Sequence, residues 1–431
     1  MINANIAAAS YKKKYSEKVT ILYGLYNGTR MLIGAINVLF LLDRGVSLSE
    51  VAQLQMVYAV TVLILEIPTG IIADVISRKL SILLSCLILT IYYPMVYFGA
   101  PSMVILSLSQ IMYGLALCLV SGAFEGWQVD IVKIEHPKDV NKINYYGHLK
   151  YEMNSFVTMF SGTFGAFLVY LNKANNYIVL YNLCAVIMIF ITLGFITIPP
   201  YNSNGIANKA RLTSRIYKDY WEQCKSSIKC IRNKKDSVYY ILCIGLLCCT
   251  YQVVYYYWQP LFENLANSSK GMECFGGNTE LLVGTVFFTY CLSRYLFNRF
   301  IRKQVIGKIN PFWIAVISML FAVVFMITLT VPMGAYIWIY IISFAIIQGT
   351  TMVTEGVIEA QYIKVIDKNN ISSVLSFMSS IQSILTTLVL FILSKTITTE
   401  NMKNYFESTV IIYLIIIFFL IKWRNRFGGE K

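Results

Sequence analysis

Five ionisable residues lie inside long apolar runs of this sequence, where a charge needs an explanation. They are Arg30, Glu66, Glu125, Glu355 and Glu359. On insertion scales a charged side chain at the centre of a bilayer costs roughly 2.5–3.5 kcal/mol, so such a residue usually faces a cavity and has a function. Burial favours the neutral form of a carboxyl group, so a buried acid can exchange a proton for a cationic or polar ligand.

These five residues support two interpretations. In the first, Glu125 and Glu355 include a proton-coupling carboxylate, and Arg30 counterbalances Glu125 in one conformation. In the second, the acids form static pairs between helices, and Glu66 belongs to a structural latch. The first interpretation predicts that both Glu125→Gln and Glu355→Gln lose transport while they still insert normally.

The apolar runs that hold these residues have the length of membrane spans. Of the 431 residues 57% are hydrophobic and 13% are charged, with a mean hydropathy of +0.61, whereas soluble domains carry about 25% charged residues. A helix of about 20 apolar residues crosses a bilayer, and the chain has room for about twelve. Such runs start near Thr20, Glu50, Leu80, Ser102, Gly147, Tyr177, Ser237, Glu280, Pro311, Gly334, Ile371 and Phe406.

These runs predict an all-α membrane protein of twelve spans. The first span is expected to run from Thr20 to about Leu42. The polar stretch between the sixth and seventh spans predicts three parts, a six-helix bundle over 1–198, a basic linker over 199–236 and a second six-helix bundle over 237–431.

Short repeats between the two sets of spans support two related halves, because internal repeats are typical of transporter folds. In the first half Asp74-x3-Arg78-Lys79 follows the second span, and Phe124-Glu125-Gly126 lies on the fourth. The corresponding segments of the second half are Asn298-x3-Arg302-Lys303 and Thr354-Glu355-Gly356.

The positions of Lys and Arg predict the orientation, since cytoplasmic loops are enriched in them. With the N-terminus inside, the predicted outside loops hold Arg44, Lys173, Lys270, Lys395 and Lys403, and most other basic residues fall inside. The net charge of +14 is then topological and needs no nucleic acid partner. The linker, with Leu212, Tyr220 and Trp221 among its basic residues, predicts an amphipathic helix on the inner leaflet, or a partner-binding segment.

The end of the second span carries a family resemblance. It reads Glu66-x-Pro68-x-Gly70-x3-Asp74-x3-Arg78-Lys79. This resembles the signature G-x3-D-x2-G-R-K that follows the second helix of major facilitator superfamily transporters, with Ser77 in place of the second Gly. The longer form is similar to that of clostridial-type tetracycline exporters and related drug exporters. The fourth span departs from many proton antiporters, because Gln110 stands where they carry an Arg.

The resemblance implies a major facilitator fold and a conformational switch. Gly70 would allow close helix packing, Asp74 would sit at the N-terminus of a helix of the other half, and Arg78 would pair with Asp130. Lys79 completes the motif. In this fold the first, fourth, seventh and tenth helices line a central cavity, which places Arg30, Glu125 and Glu355 near the transport path.

Two further groups of residues bear on packing and binding. Tyr251, Tyr255 and Trp258 of the seventh span could form an interfacial aromatic belt or a wall for a bulky substrate. Small residues on the fifth span, Ser161 and Gly165 among them, are a faint echo of a Gly-rich antiporter motif and more often serve simple helix packing.

The sequence thus predicts a secondary transporter working by alternating access. Proton-coupled efflux of a drug-like or antibiotic-like molecule is the first expectation, and it would make the protein an antiporter linked to antibiotic resistance. Nutrient uptake by symport is the second, and a non-transporting receptor or assembly factor the third. The expected setting is a bacterial plasma (inner) membrane with both termini cytoplasmic. We expect a monomer that uses a small-molecule substrate, protons and the lipid bilayer, with no cofactor, metal or enzymatic activity.

Overall fold

The fold was analysed in a computed structural model. It describes residues 15–75, 77–137, 139, 141–171, 176–199, 235–301, 309–331, 336–366 and 371–429. The helices are α1 (Tyr15–Leu32), α2 (Asn37–Asp43), α3 (Leu48–Val75), α4 (Arg78–Gly99), α5 (Met103–Glu135), α6 (Asn141–Leu171), α7 (Asn176–Ile196), α8 (Lys235–Ser268), α9 (Thr279–Phe300), α10 (Pro311–Thr330), α11 (Ile337–Ile363), α12 (Ile371–Thr396) and α13 (Met402–Gly429).

The prediction of a membrane protein with about twelve apolar helices is confirmed. Across the described ranges, 11 helical segments are long and apolar enough to cross a bilayer, with α1 and α2 counted together. The helix outside this set is α9, the predicted eighth span, which carries Glu280, Arg294 and Arg299. The spans from the second to the twelfth correspond to α3 to α13 in order.

The first span is not the continuous helix that the sequence predicts. It breaks between Leu32 and Asn37, where the backbone forms turns. Backbone N–H groups freed inside a membrane need a partner within the protein. The side-chain amide oxygen of Gln259 accepts from the N–H of Val38 at 3.0 Å and from that of Leu39 at 3.4 Å. A hydropathy pattern does not detect this break, because the residues across it are as apolar as those of a helix.

The chain divides into two compact units. The first comprises Met1–Gly34 and Ile64–Ile216, and the second Ala35–Leu63 and Tyr217–Lys431. In the first unit α4 packs against α5 and α7, and α1 packs against α6 and α7. In the second unit α10 packs against α11 and α13, and α8 packs against α12 and α13. Each of these span pairings therefore occurs once in each unit.

The division places Ala35–Leu63 with the second unit, although these residues precede the predicted linker. The bundle boundaries 1–198, 199–236 and 237–431 stay a prediction. Most of the linker, including its predicted amphipathic helix, lies outside the described residues.

Small residues set the contact between α1 and α6 in the first unit. A Cβ at Gly165 would overlap the carbonyl oxygen of Leu32, and a Cβ at Gly28 would overlap the side chain of Val157 and lie 2.9 Å from Ser161 Oγ. Small residues let helix backbones approach closely in a membrane. Ser161 and Gly165 therefore serve helix packing in this structure.

We predict that Gly165→Ala lowers the melting temperature of the detergent-solubilised protein. The added methyl group meets backbone at the end of α1, and overpacking of this kind costs about 1–3 kcal/mol. The control is Gly122→Ala on α5, where a Cβ would meet no described atom within 4 Å and where Ala is the better helix former. Equal melting temperatures for the two variants would contradict the packing argument.

Candidate functional site

The motif after the second span forms an ion pair in the first unit. Arg78 Nη1 lies 2.7 Å from Asp130 Oδ2 near the end of α5, with the side chains 23% and 10% exposed. Ser77, which replaces the usual Gly, is the N-cap of α4, and its side chain accepts from the N–H of Leu80. The pairing expected from the sequence is thus present, and its role in switching stays a prediction.

Gly126 gives the Arg78 guanidinium its space. A Cβ at position 126 would lie 2.6 Å from Arg78 Cζ and 2.7 Å from Nε. The arginine therefore crosses the α5 backbone at a residue without a side chain before it reaches Asp130, one turn further along α5. The Gly of the Phe124-Glu125-Gly126 repeat has this steric role in the first half.

Lys79 has a different partner from Arg78. Its ammonium group donates to the carbonyl oxygens of Ile196, at 2.9 Å, and Ile198, at 2.5 Å. These carbonyls lie at the C-terminal end of α7, where a cation is favoured by the helix dipole and by unpaired acceptors. Lys79 therefore fixes α4 to the end of α7 within the same unit.

Two other motif residues give less information. A Cβ at Gly70 would meet no described atom within 4 Å, and the packing of this glycine across the interface of the two halves stays a prediction. The backbone of Asp74 is the helical end of α3, and its side chain lies outside the described part. In the second repeat Asn298 is described, and Arg302 and Lys303 are not.

Arg30 lies in the last turn of α1, just before the break in the first span. Its guanidinium donates to Tyr113 Oη on α5 at 3.0 and 3.2 Å and to Asn27 Oδ1 at 2.8 Å. A cation is also favoured near the exposed carbonyls of a helix C-terminus. Arg30 is therefore held by neutral oxygens of α1 and α5.

Glu125 is paired with a lysine in this structure, and its pairing with Arg30 in another conformation stays a prediction. Its Oε1 lies 2.6 Å from Lys150 Nζ on α6, and its side chain is 62% exposed. The salt bridge joins α5 to α6 in the last third of α5, towards the predicted cytoplasmic end. Glu66 is likewise exposed on α3, and it acts electrostatically on Cys118 of α5.

The second unit contains a cavity of about 360 Å³ that holds both signs of charge. It lies between α8, α9, α11, α12 and α13, and its lining includes Arg294, Glu355, Tyr251 and Gln382. Ligand pockets typically have volumes of about 300–1,000 Å³, so this cavity suits a small organic molecule. Glu359 follows Glu355 by one helical turn, and the two carboxylates repel each other.

The seventh-span aromatics divide between this cavity and the core. Tyr251 lines the cavity, and Tyr255 stacks on it with ring centroids 4.9 Å apart. Trp258 is only 2% exposed and packs against Tyr290 and Phe344 at 5.8 and 5.7 Å. Trp258 therefore belongs to a packed aromatic core. Neither alternative considered for it, belt or substrate wall, is correct.

Two charged residues of these sites were not identified from the sequence. Lys150 stands near the start of the fifth span, beside polar residues that resemble a loop. Arg294 lies late in the least apolar span, where it resembles a residue of the basic loop that follows. The repeat carried a signal for Arg294, because Arg294-x3-Asn298 takes the place of Gly70-x3-Asp74.

We predict that Gly126→Ala destabilises the protein by displacing Arg78 from Asp130. Loss of one partner of a buried ion pair costs about 3–5 kcal/mol, and partial displacement should cost less. The matched control is Gly356→Ala, the corresponding position of α11, where a Cβ would meet no described atom within 4 Å.

The steric origin can be tested by a double-mutant cycle with Arg78→Ala, read as melting temperatures. Gly126→Ala should be nearly neutral once the guanidinium is gone, because coupled residues are non-additive. The same penalty in both backgrounds would show that Gly126 and Arg78 do not act through this contact.

Known proteins share sequence features with this chain. Residues 19–390 match the Major Facilitator Superfamily. An uncharacterized MFS-type transporter, YxaM of Bacillus subtilis (strain 168), is 25% identical over 258 residues, which are 58% of this chain and 60% of that protein. The chain thus spans less than two thirds of that relative's length.

Solved structures share the fold at low identity. The nucleoside transporter NupG superposes with a TM-score of 0.73 at 11% identity, covering 95% of this chain and 100% of that one. The peptide transporter POT gives 0.74 at 13% identity, covering 98% of both chains. Because the family match extends over most of the sequence and the helical order agrees with it, this chain belongs to the Major Facilitator Superfamily and is a multi-pass membrane protein.

Proposed function

We propose that this protein is a proton-coupled secondary transporter that exports a drug-like or antibiotic-like small molecule by alternating access. The observation that carries the proposal is the cavity of the second unit, where Glu355 faces a space for a small molecule. A carboxylate at the wall of such a space can hold either a proton or part of a substrate, which is the requirement for coupling the two.

The contacts of the two candidate carboxylates differ. Glu125 is in a salt bridge with Lys150 at 2.6 Å, so its charge is already compensated. Glu355 has no ion pair among the residues whose positions are described; Arg294 attracts it, and its acidic neighbour Glu359 repels it. Uptake of a proton by Glu355 or Glu359 relieves this repulsion. Glu355 is therefore the better proton carrier, and Glu125 has a structural role.

The direction of transport rests on the motif at the end of the second span. Its resemblance to drug exporters supports efflux, and the motif's ion pair between Arg78 and Asp130 is present. We also propose the bacterial plasma membrane, cytoplasmic termini and a monomer as its setting, from the distribution of Lys and Arg. An assembly factor or receptor on the same fold would not need an unpaired carboxylate in a cavity.

Uptake by symport is the second candidate. The cavity has charged and amide groups as well as apolar walls, which suits polar nutrients as well as drugs. Solved relatives in fold include transporters described as carrying nucleosides and peptides. An exporter should raise the tolerance of a sensitive host to a drug, whereas a symporter should support growth on a sole nutrient.

We predict that Glu355→Gln abolishes proton-driven transport and that Glu125→Gln retains it. Tetracycline tolerance of a sensitive host, with and without an uncoupler, is the first measurement, because the motif resembles that of tetracycline exporters. In proteoliposomes with an imposed pH gradient, Glu355→Gln should lower tetracycline flux to that of empty vesicles. Exchange of tetracycline across the membrane without a gradient should persist at saturating concentration, since exchange does not require this side chain to change its protonation.

The control for this test is the amount and monodispersity of each variant by size-exclusion chromatography. A fully coupled Glu355→Gln protein would contradict the role of this carboxylate. Growth on a sole nutrient without any drug tolerance would favour uptake over efflux.

A further inference from the structure

We propose that Arg294 binds the anionic group of the substrate and that Arg294 and Glu355 together make the cavity of the second unit a site for a small zwitterion. This inference rests on the proposed transport function and names the substrate class of the same cavity.

The Arg294 guanidinium has few acceptors for its donors. Its Nε lies 3.4 Å from Met352 Sδ, and a thioether is a weak acceptor. The phenol of Tyr251 is within hydrogen-bonding reach. Among the residues that the structure describes, no carboxylate forms an ion pair with Arg294. A guanidinium has five N–H donors, so it keeps capacity for a ligand.

Two other arginines of the described residues have a carboxylate nearby. Arg78 is paired with Asp130 at 2.7 Å, and Arg426 approaches Asp236 at 4.0 Å. An arginine in a membrane span is expensive and normally finds a counterion or faces a polar cavity. Arg294 lines the cavity without such a partner, which is the arrangement expected of a group that receives its counterion from the substrate.

The geometry of the guanidinium selects the anion. Its planar fork forms two parallel hydrogen bonds to a carboxylate or phosphate group. Glu355 lines the same cavity from α11, and it attracts Arg294 electrostatically. Its carboxylate repels a ligand that carries only negative charge. A ligand with one anionic and one cationic group matches both residues.

The other residues that line the cavity indicate the chemical character of the rest of the ligand. Leu247, Val254 and Met352 are apolar, and Tyr251 and Tyr413 offer aromatic rings. Apolar and aromatic walls with a few placed polar groups are typical of sites for small organic molecules. The cavity therefore fits a zwitterion with an apolar or aromatic body, such as an aromatic amino acid or a drug of that charge pattern.

The internal sequence repeat independently indicates that Arg294 occupies a specialised position. Arg294 stands where the first half has Gly70, four residues before the degenerate Asn298. The second copy of the motif has therefore lost its acid and gained a cation that lines the cavity. In the first half the same position is a glycine, at which a Cβ would meet no described atom within 4 Å.

Three probes with one carbon skeleton test the proposal. They are phenylalanine, which is zwitterionic, 3-phenylpropanoate, which has only the anion, and 2-phenylethylamine, which has only the cation. Binding to the full-length protein in nanodiscs is measured by ligand-induced shifts in melting temperature and by calorimetry, without any gradient. Wild type should bind phenylalanine more tightly than either partial probe.

The variants should separate the two charges. Arg294→Gln should weaken phenylalanine and 3-phenylpropanoate by about 10- to 100-fold and leave 2-phenylethylamine unchanged, because charge-assisted hydrogen bonds to the carboxylate are lost. Glu355→Gln should instead weaken the binding of 2-phenylethylamine and leave the binding of 3-phenylpropanoate unchanged. Arg294→Lys should recover part of the affinity, since the charge remains and the fork does not.

The matched control is Arg299→Gln on the same helix, whose guanidinium donates to Tyr295 Oη at 2.9 Å and does not line the cavity. It should bind all three probes like wild type. Failure of wild type to bind phenylalanine, or equal losses for the three probes in Arg294→Gln, would overturn the proposal. Because binding is measured at equilibrium, it is independent of the flux assay. Absence of proton-driven transport by the wild type, with phenylalanine binding intact, would therefore refute only the proposed function.

Discussion

The compensation of charge inside the bilayer is the constraint on which this structure depends. An ionisable side chain in a span needs a counterion, a hydrogen-bond partner or access to water, because the hydrocarbon offers none of these. Several charges of the described helices meet this requirement with a fixed partner. Arg78 pairs with Asp130, Glu125 pairs with Lys150, and Lys79 binds the carbonyls at the end of α7. Such contacts hold helices together.

The same constraint distinguishes the residues of the second-unit cavity. Arg294 and Glu355 line one space, attract each other and form no ion pair with each other. Water can solvate them there, and a ligand can replace that water. The exposure of Glu355 therefore has a different meaning from that of Glu125, which is exposed but paired. This difference in contact, rather than in residue type, is the reason for assigning coupling to one acid and a structural role to the other.

The sequence was sufficient for the parts of the fold that follow from hydropathy. The helix starts fell near the predicted ones because each span needs an apolar run long enough to cross the bilayer, and the pairing of Arg78 with Asp130 was implied by the family resemblance. The break after Leu32 was not predictable in this way, since it depends on an amide from Gln259, far along the chain. Trp258 was misplaced because an aromatic cluster at a helix end has the same composition in a core and at an interface.

The two halves share helix pairings but differ in the polar and charged residues that these helices carry. Gly126 accommodates Arg78, whereas a side chain at the matching Gly356 would meet open space among the described atoms. Glu125 has a lysine partner in α6, and Glu355 lacks an ion pair within the described ranges. A duplicated frame keeps its helix contacts because both copies must bury similar faces. The polar positions are free of that requirement, so one copy can retain an ion pair for structure while the other exposes its charges to a cavity. The asymmetry of the charges, more than the symmetry of the helices, therefore indicates where a substrate would bind.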